Sequence, residues 1–119
     1  EHYRALLSGS GIVIPAVADY AEPVWHLYVV RIKKRDMIRD LLRERGIRTG
    51  VHYPVPLHLQ PAYRGLGYHQ GDFPVAERFS EQVLSLPMYA EMPEEAVEYI
   101  AGNLIELVDG HEAMVIAAE

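Results

Sequence analysis

Two histidines six positions apart, His52 and His58, with Tyr53 between them, are the side chains of this sequence best suited to chemistry. Imidazole titrates near neutral pH, and a phenol both donates and accepts hydrogen bonds. Together they could bind an anionic or hydroxyl-rich ligand, or pass protons. They stand in the stretch His52-Tyr53-Pro54-Val55-Pro56-Leu57-His58-Leu59-Gln60-Pro61-Ala62-Tyr63. Pro54, Pro56 and Pro61 each fix their own φ and push the preceding residue towards extended geometry. The segment therefore reads as a stiff, extended loop rather than a helix interior or a central strand. The plainer reading is that its polar groups bond the loop's own backbone, whose carbonyls the prolines leave without ladder partners. A metal site has weak support, because two histidines at this spacing have no third ligand near them.

The other reactive groups point nowhere so definite. His26 lies in a strand pattern and reads as a satisfied core histidine, while His2, His69 and His111 have no neighbours that suggest work. The glycines from Gly65 to Gly71 lack the strand before and the helix after that a phosphate cradle requires. Ser8, Ser10, Ser80 and Ser85 sit in no nucleophile context. Arg31, Lys33, Lys34 and Arg35 form a basic run that reads as the solvated lead into a helix. The two lysines are adjacent at that helix start, outside the shielded pocket that an imine-forming lysine needs.

These groups must be carried by one modest domain. The chain has 119 residues, half of them hydrophobic and 24% charged, enough for one core. A net charge of -6 without a basic stripe argues against nucleic acid as a partner. No apolar run reaches membrane-span length. The lack of cysteine rules out disulfides and thiolate ligands within the chain and fits a cytoplasmic location.

The residues in front of the histidine loop predict a strand–helix–strand unit. Val24 to Ile32 is the clearest strand, with Trp25, Leu27 and Val29 on one face and Tyr28, Val30 and Ile32 on the other. Met37, Ile38, Leu41 and Leu42 form one helical stripe, Gly46 is suited to an αL cap, and Ile47 can close the contact after it. Arg48 to Val51 is then a short strand that delivers the loop. Ile12 to Ile14 reads as an edge strand, and Leu84 to Tyr89 as a strand stopped by Pro87. Phe73-Pro74 opens a helix whose buried stripe is expected to be Val75, Ala76, Phe79 and Val83. A last helix starts at Met92-Pro93, buries Ala96, Val97, Ile100, Ala101, Leu104, Ile105 and Val108, and is expected to end at Asp109-Gly110. The result is an α+β fold over residues 1–119, with three or four short strands packed against helices. Residues 1–9 read as the end of a helix with no cap in front of it, as in a fragment of a longer polypeptide, and 110–119 as a tail.

From His26 to about Leu107 the sequence resembles the C-terminal domain of the DegT/DnrJ/StrS sugar aminotransferases. The resemblance is carried in order by His26-Leu27-Tyr28-Val29-Val30-Arg31, Arg35-Asp36, Leu42, Gly46-Ile47, Gly50 to Tyr63, Gly71-Asp72-Phe73-Pro74-Val75-Ala76-Glu77 and Leu84-Ser85-Leu86-Pro87-Met88-Tyr89. It implies the small domain of a fold-type I enzyme that uses pyridoxal 5'-phosphate to aminate keto sugars attached to nucleotides. In that family the N-terminal domain brings the cofactor phosphate and the imine-forming lysine, and the site lies at a homodimer interface. The resemblance then implies that His52, Tyr53 and His58 face the nucleotide-sugar substrate, that the amino donor is usually glutamate, and that catalytic and cofactor-binding residues lie outside this chain. Residues 1–9 resemble the end of the interdomain helix. A chain without the lysine is expected to be inactive alone. The alternatives are a same-family dehydratase, in which histidine replaces the lysine and an iron–sulfur partner acts, a stand-alone small-ligand regulatory module, and a pure dimerisation module.

Overall fold

Tyr28, Val30 and Ile32 are buried while Val29 and Arg31 between them are half-buried, the period of two that sets a strand against a core. In the computed structural model, which describes the backbone of residues 1–116 and the side chains of residues 1–110, that strand is β1 (Tyr28–Arg31). It pairs antiparallel with β2 (Val83–Leu86), with Tyr28 opposite Leu86 and Arg31 opposite Val83. The strand is shorter than the sequence predicts, because Val24 stands 98% exposed with no pairing partner, and His26 is exposed rather than in the core. The other two predicted strands shrink to single bridges. Val13 pairs with Arg31 on the outer side of β1, and Gly50 pairs with Ser85 on the outer side of β2, both antiparallel. The order across the sheet is therefore Val13, β1, β2, Gly50. Because β1 and the Gly50 segment both run antiparallel to β2, they are parallel to one another, with β2 inserted between them.

The connection from β1 to Gly50 is α2 (Arg35–Glu44), and it ends as its sequence predicts. Gly46 takes φ +78°, the Ile47 N–H donates to Leu42 O at 2.9 Å, and the Gly46 N–H donates to Arg43 O at 3.0 Å. Those are the two bonds of a Schellman motif, and buried Ile47 closes it. Arg35 is also buried, and donates to Val83 O at 2.8 Å, so the first turn of α2 is tied to the first residue of β2.

The core lies between the sheet, α1 (His2–Leu7), α2 and α4 (Glu94–Ile116). Leu7, Val30, Ile38, Leu42, Leu84 and Leu104 are its largest fully buried side chains, each worth roughly 1.5–3 kcal/mol of transfer free energy. Tyr3 stacks on Tyr28 with ring centroids 5.2 Å apart and donates its hydroxyl to Pro87 O at 2.9 Å. Burial pushes both phenols above the ordinary tyrosine value. Arg45 forks onto Glu106 with both bonds at 3.0 Å and reaches Asn103 at 2.8 Å, which pins the end of α2 to α4.

Helix α4 does not stop at Asp109-Gly110. It runs through both residues to Ile116, since a glycine inside a helix costs only about 1 kcal/mol relative to alanine and neither residue forces a turn. Most of the predicted tail is thus helical; the side chain of His111 and all of residues 117–119 lie outside the described residues. No helix among the described residues is long and apolar enough to cross a membrane.

Candidate functional site

The Gly50 bridge is where the sheet hands the chain to the histidine loop. Gly50 N donates to Ser85 O at 3.0 Å, and Ser85 N to Gly50 O at 2.8 Å. Two residues on, a hydrogen bond of 2.9 Å joins His52 Nδ1 to Ser85 Oγ. The imidazole lies back over Gly50, where an added Cβ would come within 2.6 Å of His52 Cε1. Glycine is needed there for the close approach of the ring, and β2 fixes the orientation of His52 from below.

Beyond His52 the loop is less extended than the prolines suggest. Leu57–Leu59 forms a 3₁₀ turn and Pro61–Leu66 a longer 3₁₀ helix, so the extended run ends at Pro56. Pro61 occupies the first position of its helix, where the missing N–H is no loss and the fixed φ is already suitable. Gly67, at φ +78°, closes that helix.

The facing wall is α3 (Pro74–Gln82) with Phe73 in front of it. Its apolar stripe is the largest departure from expectation. Val75 is 59% and Phe79 42% exposed, Ala76 is exposed, and Ser80 is the residue of α3 that is buried. The helix packs beside β1 with Ser80 buried and leaves Val75, Ala76 and Phe79 exposed; at its end, Val83 belongs to β2 and is buried. Arg31 helps to seat it, with the guanidinium 4.3 Å from the Phe79 ring centre.

Loop and helix enclose an open groove of about 490 Å³. His52, Tyr53 and His58, the three residues singled out from sequence, all line it, together with Phe73, Phe79 and Ser80. Their environments differ. Tyr53 is 72% exposed, and its hydroxyl makes no hydrogen bond among the described residues. The side chain of His58 is 7% exposed, with Nε2 2.9 Å from Glu77 Oε1 and its ring against Phe73 at 4.8 Å between centroids. Glu77 also accepts from Gly71 N at 2.9 Å and Phe73 N at 3.3 Å. Transfer from water pushes the Glu77 carboxyl up, but the Gly71 amide, the His58 ring and the Phe73 amide outweigh it and hold the carboxyl below the ordinary glutamate value.

Ser85 and Glu77 are the two residues that a search for ligand-binding side chains passes over. Ser85 has no signal in its own neighbourhood of sequence. Glu77 had one: a carboxylate in the first turn after a proline start is placed to take up the orphan N–H groups of a helix end.

A pyridoxal cofactor would need a lysine and a phosphate cradle. Lys33 and Lys34 are exposed beside the start of α2, and neither lysine nor arginine lines the groove. The residues present do not fit the role of cofactor holder; they form an aromatic and imidazole wall. Among the described residues no three histidine, aspartate or glutamate side chains gather as a metal cage.

The sequence pattern of the DegT/DnrJ/EryC1/StrS aminotransferase family matches residues 1–105. The dTDP-3-amino-3,4,6-trideoxy-alpha-D-glucose transaminase of Streptomyces venezuelae is 49% identical over 88 residues, 74% of this chain and 23% of that protein. A protein of Geobacillus stearothermophilus named pleiotropic regulatory protein is 43% identical over 98 residues, 82% of this chain and 26% of its own length. The crystal structure of S. venezuelae DesV in complex with a ketimine intermediate superposes with a TM-score of 0.85 at 42% identity, over 90% of this chain and 29% of DesV. The chain spans under a third of the length of these relatives. The match over residues 1–105 places the chain in the DegT/DnrJ/EryC1/StrS aminotransferase family.

Proposed function

We propose that this chain is the substrate-facing small domain of a pyridoxal-phosphate-dependent aminotransferase of fold type I, acting on a nucleotide-activated keto sugar. The observation that carries the reading is the convergence of His52, Tyr53 and His58 on one open groove, in a chain of this family whose relatives include named dTDP-sugar transaminases. In this reading a preceding domain of the same polypeptide brings the cofactor and the lysine, and the working form is a homodimer. When bound there, the cofactor supplies the electron sink that allows an amino group to leave a donor such as glutamate and reach the keto carbon.

The groove's own residues act by binding and exclusion. The Tyr53 hydroxyl is free to donate to or accept from a sugar hydroxyl or a phosphate oxygen. His52, held by Ser85, offers a fixed imidazole edge. Phe73, Phe79 and Leu57 supply apolar surface that displaces water from the ligand's faces.

Steady-state kinetics of the full-length protein test the reading, with glutamate as donor and a dTDP-linked keto sugar as acceptor. Amino-sugar product is expected. His52→Ala and Tyr53→Phe are each expected to lower kcat/KM by roughly tenfold while the cofactor's visible absorbance stays unchanged. Loss of that absorbance in either variant would move the groove to the cofactor side. The name of the G. stearothermophilus relative favours a second reading, a regulatory module that binds a small ligand. Saturable binding of the sugar nucleotide without turnover would select it.

A further inference from the structure

Glu77 stands where three pieces of the groove wall meet, yet it does not line the groove itself. One oxygen, Oε1, lies 2.9 Å from His58 Nε2, 2.9 Å from Gly71 N and 3.3 Å from Phe73 N, and Oε2 lies 3.0 Å from Gly71 N. His58 packs on Phe73, and Phe73 meets Tyr68 edge-on at 5.2 Å. Among the described residues no backbone hydrogen bond joins the Leu57–Leu59 turn to the His69–Phe73 turn. Beside the contact of the His58 and Phe73 rings, the carboxylate supplies the hydrogen bonds that connect them. Its side chain is 15% exposed and that of His58 is 7% exposed, so water competes weakly for these bonds. Hydrogen bonds to a charged acceptor are roughly twice as strong as neutral ones, and here they converge on one group.

We propose that Glu77 is a positioning residue for substrate binding: by holding His58 and the Gly71 and Phe73 amides together, it fixes the aromatic wall of the groove and so sets the affinity for the sugar nucleotide. The proposal rests on the reading of the groove as the substrate side. Glu77 does not line the groove and acts through His58, Gly71 and Phe73. Removing it releases the 3₁₀ turn and the glycine turn from one another, and the ligand must then order both when it binds, a cost that appears in KM.

The test uses the full-length protein as wild type, Glu77→Ala and Glu77→Gln, with KM and kcat for the dTDP-linked keto sugar and hydrogen exchange at the Gly71 and Phe73 amides. In Glu77→Ala, KM is expected to rise about tenfold with kcat within about threefold, and both amides are expected to exchange faster. Glu77→Gln keeps one carbonyl acceptor for the amides, so a KM rise of about threefold is expected, a partial rescue. Faster exchange with KM unchanged in both variants would overturn the proposal, as would a fall in kcat at constant KM. If Glu77→Ala does not fold, Glu77→Gln decides by the same criteria. Absence of turnover in the wild type would count against the proposed reaction instead, and is seen without any variant.

Discussion

Helices α3 and α4 carry the same kind of sequence signal and meet opposite fates. Each begins near a proline and repeats apolar residues at helical spacing. In α4 that stripe is covered: Val97, Ile100, Ala101 and Leu104 are all buried in the core that α4 shares with α1 and α2. In α3, Val75, Ala76 and Phe79 stay in the open and, with the histidine loop opposite, make a groove. Periodicity says that a face will be apolar; it does not say what covers it. For α4 the cover lies in the same chain. For α3 the cover, in our reading, is substrate and the rest of the protein.

The contrast is broken most severely through the core. Leu104→Ala is expected to lower stability by about 2–5 kcal/mol, because the side chain is fully buried and leaves a cavity. Phe79→Ala, at 42% exposure, is expected to lose less than about 1.5 kcal/mol of stability and to show its effect on ligand binding instead. Urea unfolding of the two variants compares them; equal losses would mean that α3 is as much a core element as α4.

A smaller effect separates the two tyrosines of the core. Tyr3→Phe removes the bond to Pro87 O and is expected to lose about 1 kcal/mol. Tyr28→Phe removes a buried hydroxyl that has no hydrogen-bond partner among the described residues, so it is expected to be neutral or stabilising by up to about 1 kcal/mol in the same urea titration.

The groove wall should also respond to acid in a way the core does not. The Glu77 carboxyl is depressed in the folded state, so its contribution is complete above its unfolded value near 4.5 and is lost as pH falls through the lower folded value. Exchange at the Gly71 and Phe73 amides, corrected for intrinsic rates, is therefore expected to accelerate below about pH 4.5, and Glu77→Gln to remove that dependence. An acid response unchanged in Glu77→Gln would assign it to another group. The most local change is Gly50→Ala. The methyl would push the ring of His52 away from Gly50 and break its bond to Ser85, an expected loss of about 1 kcal/mol visible as a shifted His52 imidazole resonance.

Much of this architecture is legible in the order of the residues. The Gly46-Ile47 cap, the α4 stripe and the proline start of α3 follow from local chemistry, and so they hold. Strand lengths fail, because pairing is decided by partners far along the chain: Val24 has the right residue type and no neighbour to bond. The prolines after His52 exclude regular α-helix and β-sheet interiors, yet they permit the 3₁₀ turns that form. At the site, the histidines and tyrosine stand out in sequence by type. Ser85 stands out only in space, and Glu77 shows in sequence as a helix-start carboxylate but not as a partner of His58; they lie 33 and 19 residues from the imidazoles they hold. Supporting groups are the part of a site that sequence shows least, since their role is defined by what lies against them.

Methyl-labelled full-length protein titrated with the dTDP-linked keto sugar tests the central claim most directly. The account predicts saturable shifts at the groove methyls of Val55, Leu57 and Ala76, with Val30 and Leu104 in the core unmoved. Saturable binding that leaves the three groove methyls unshifted would contradict it.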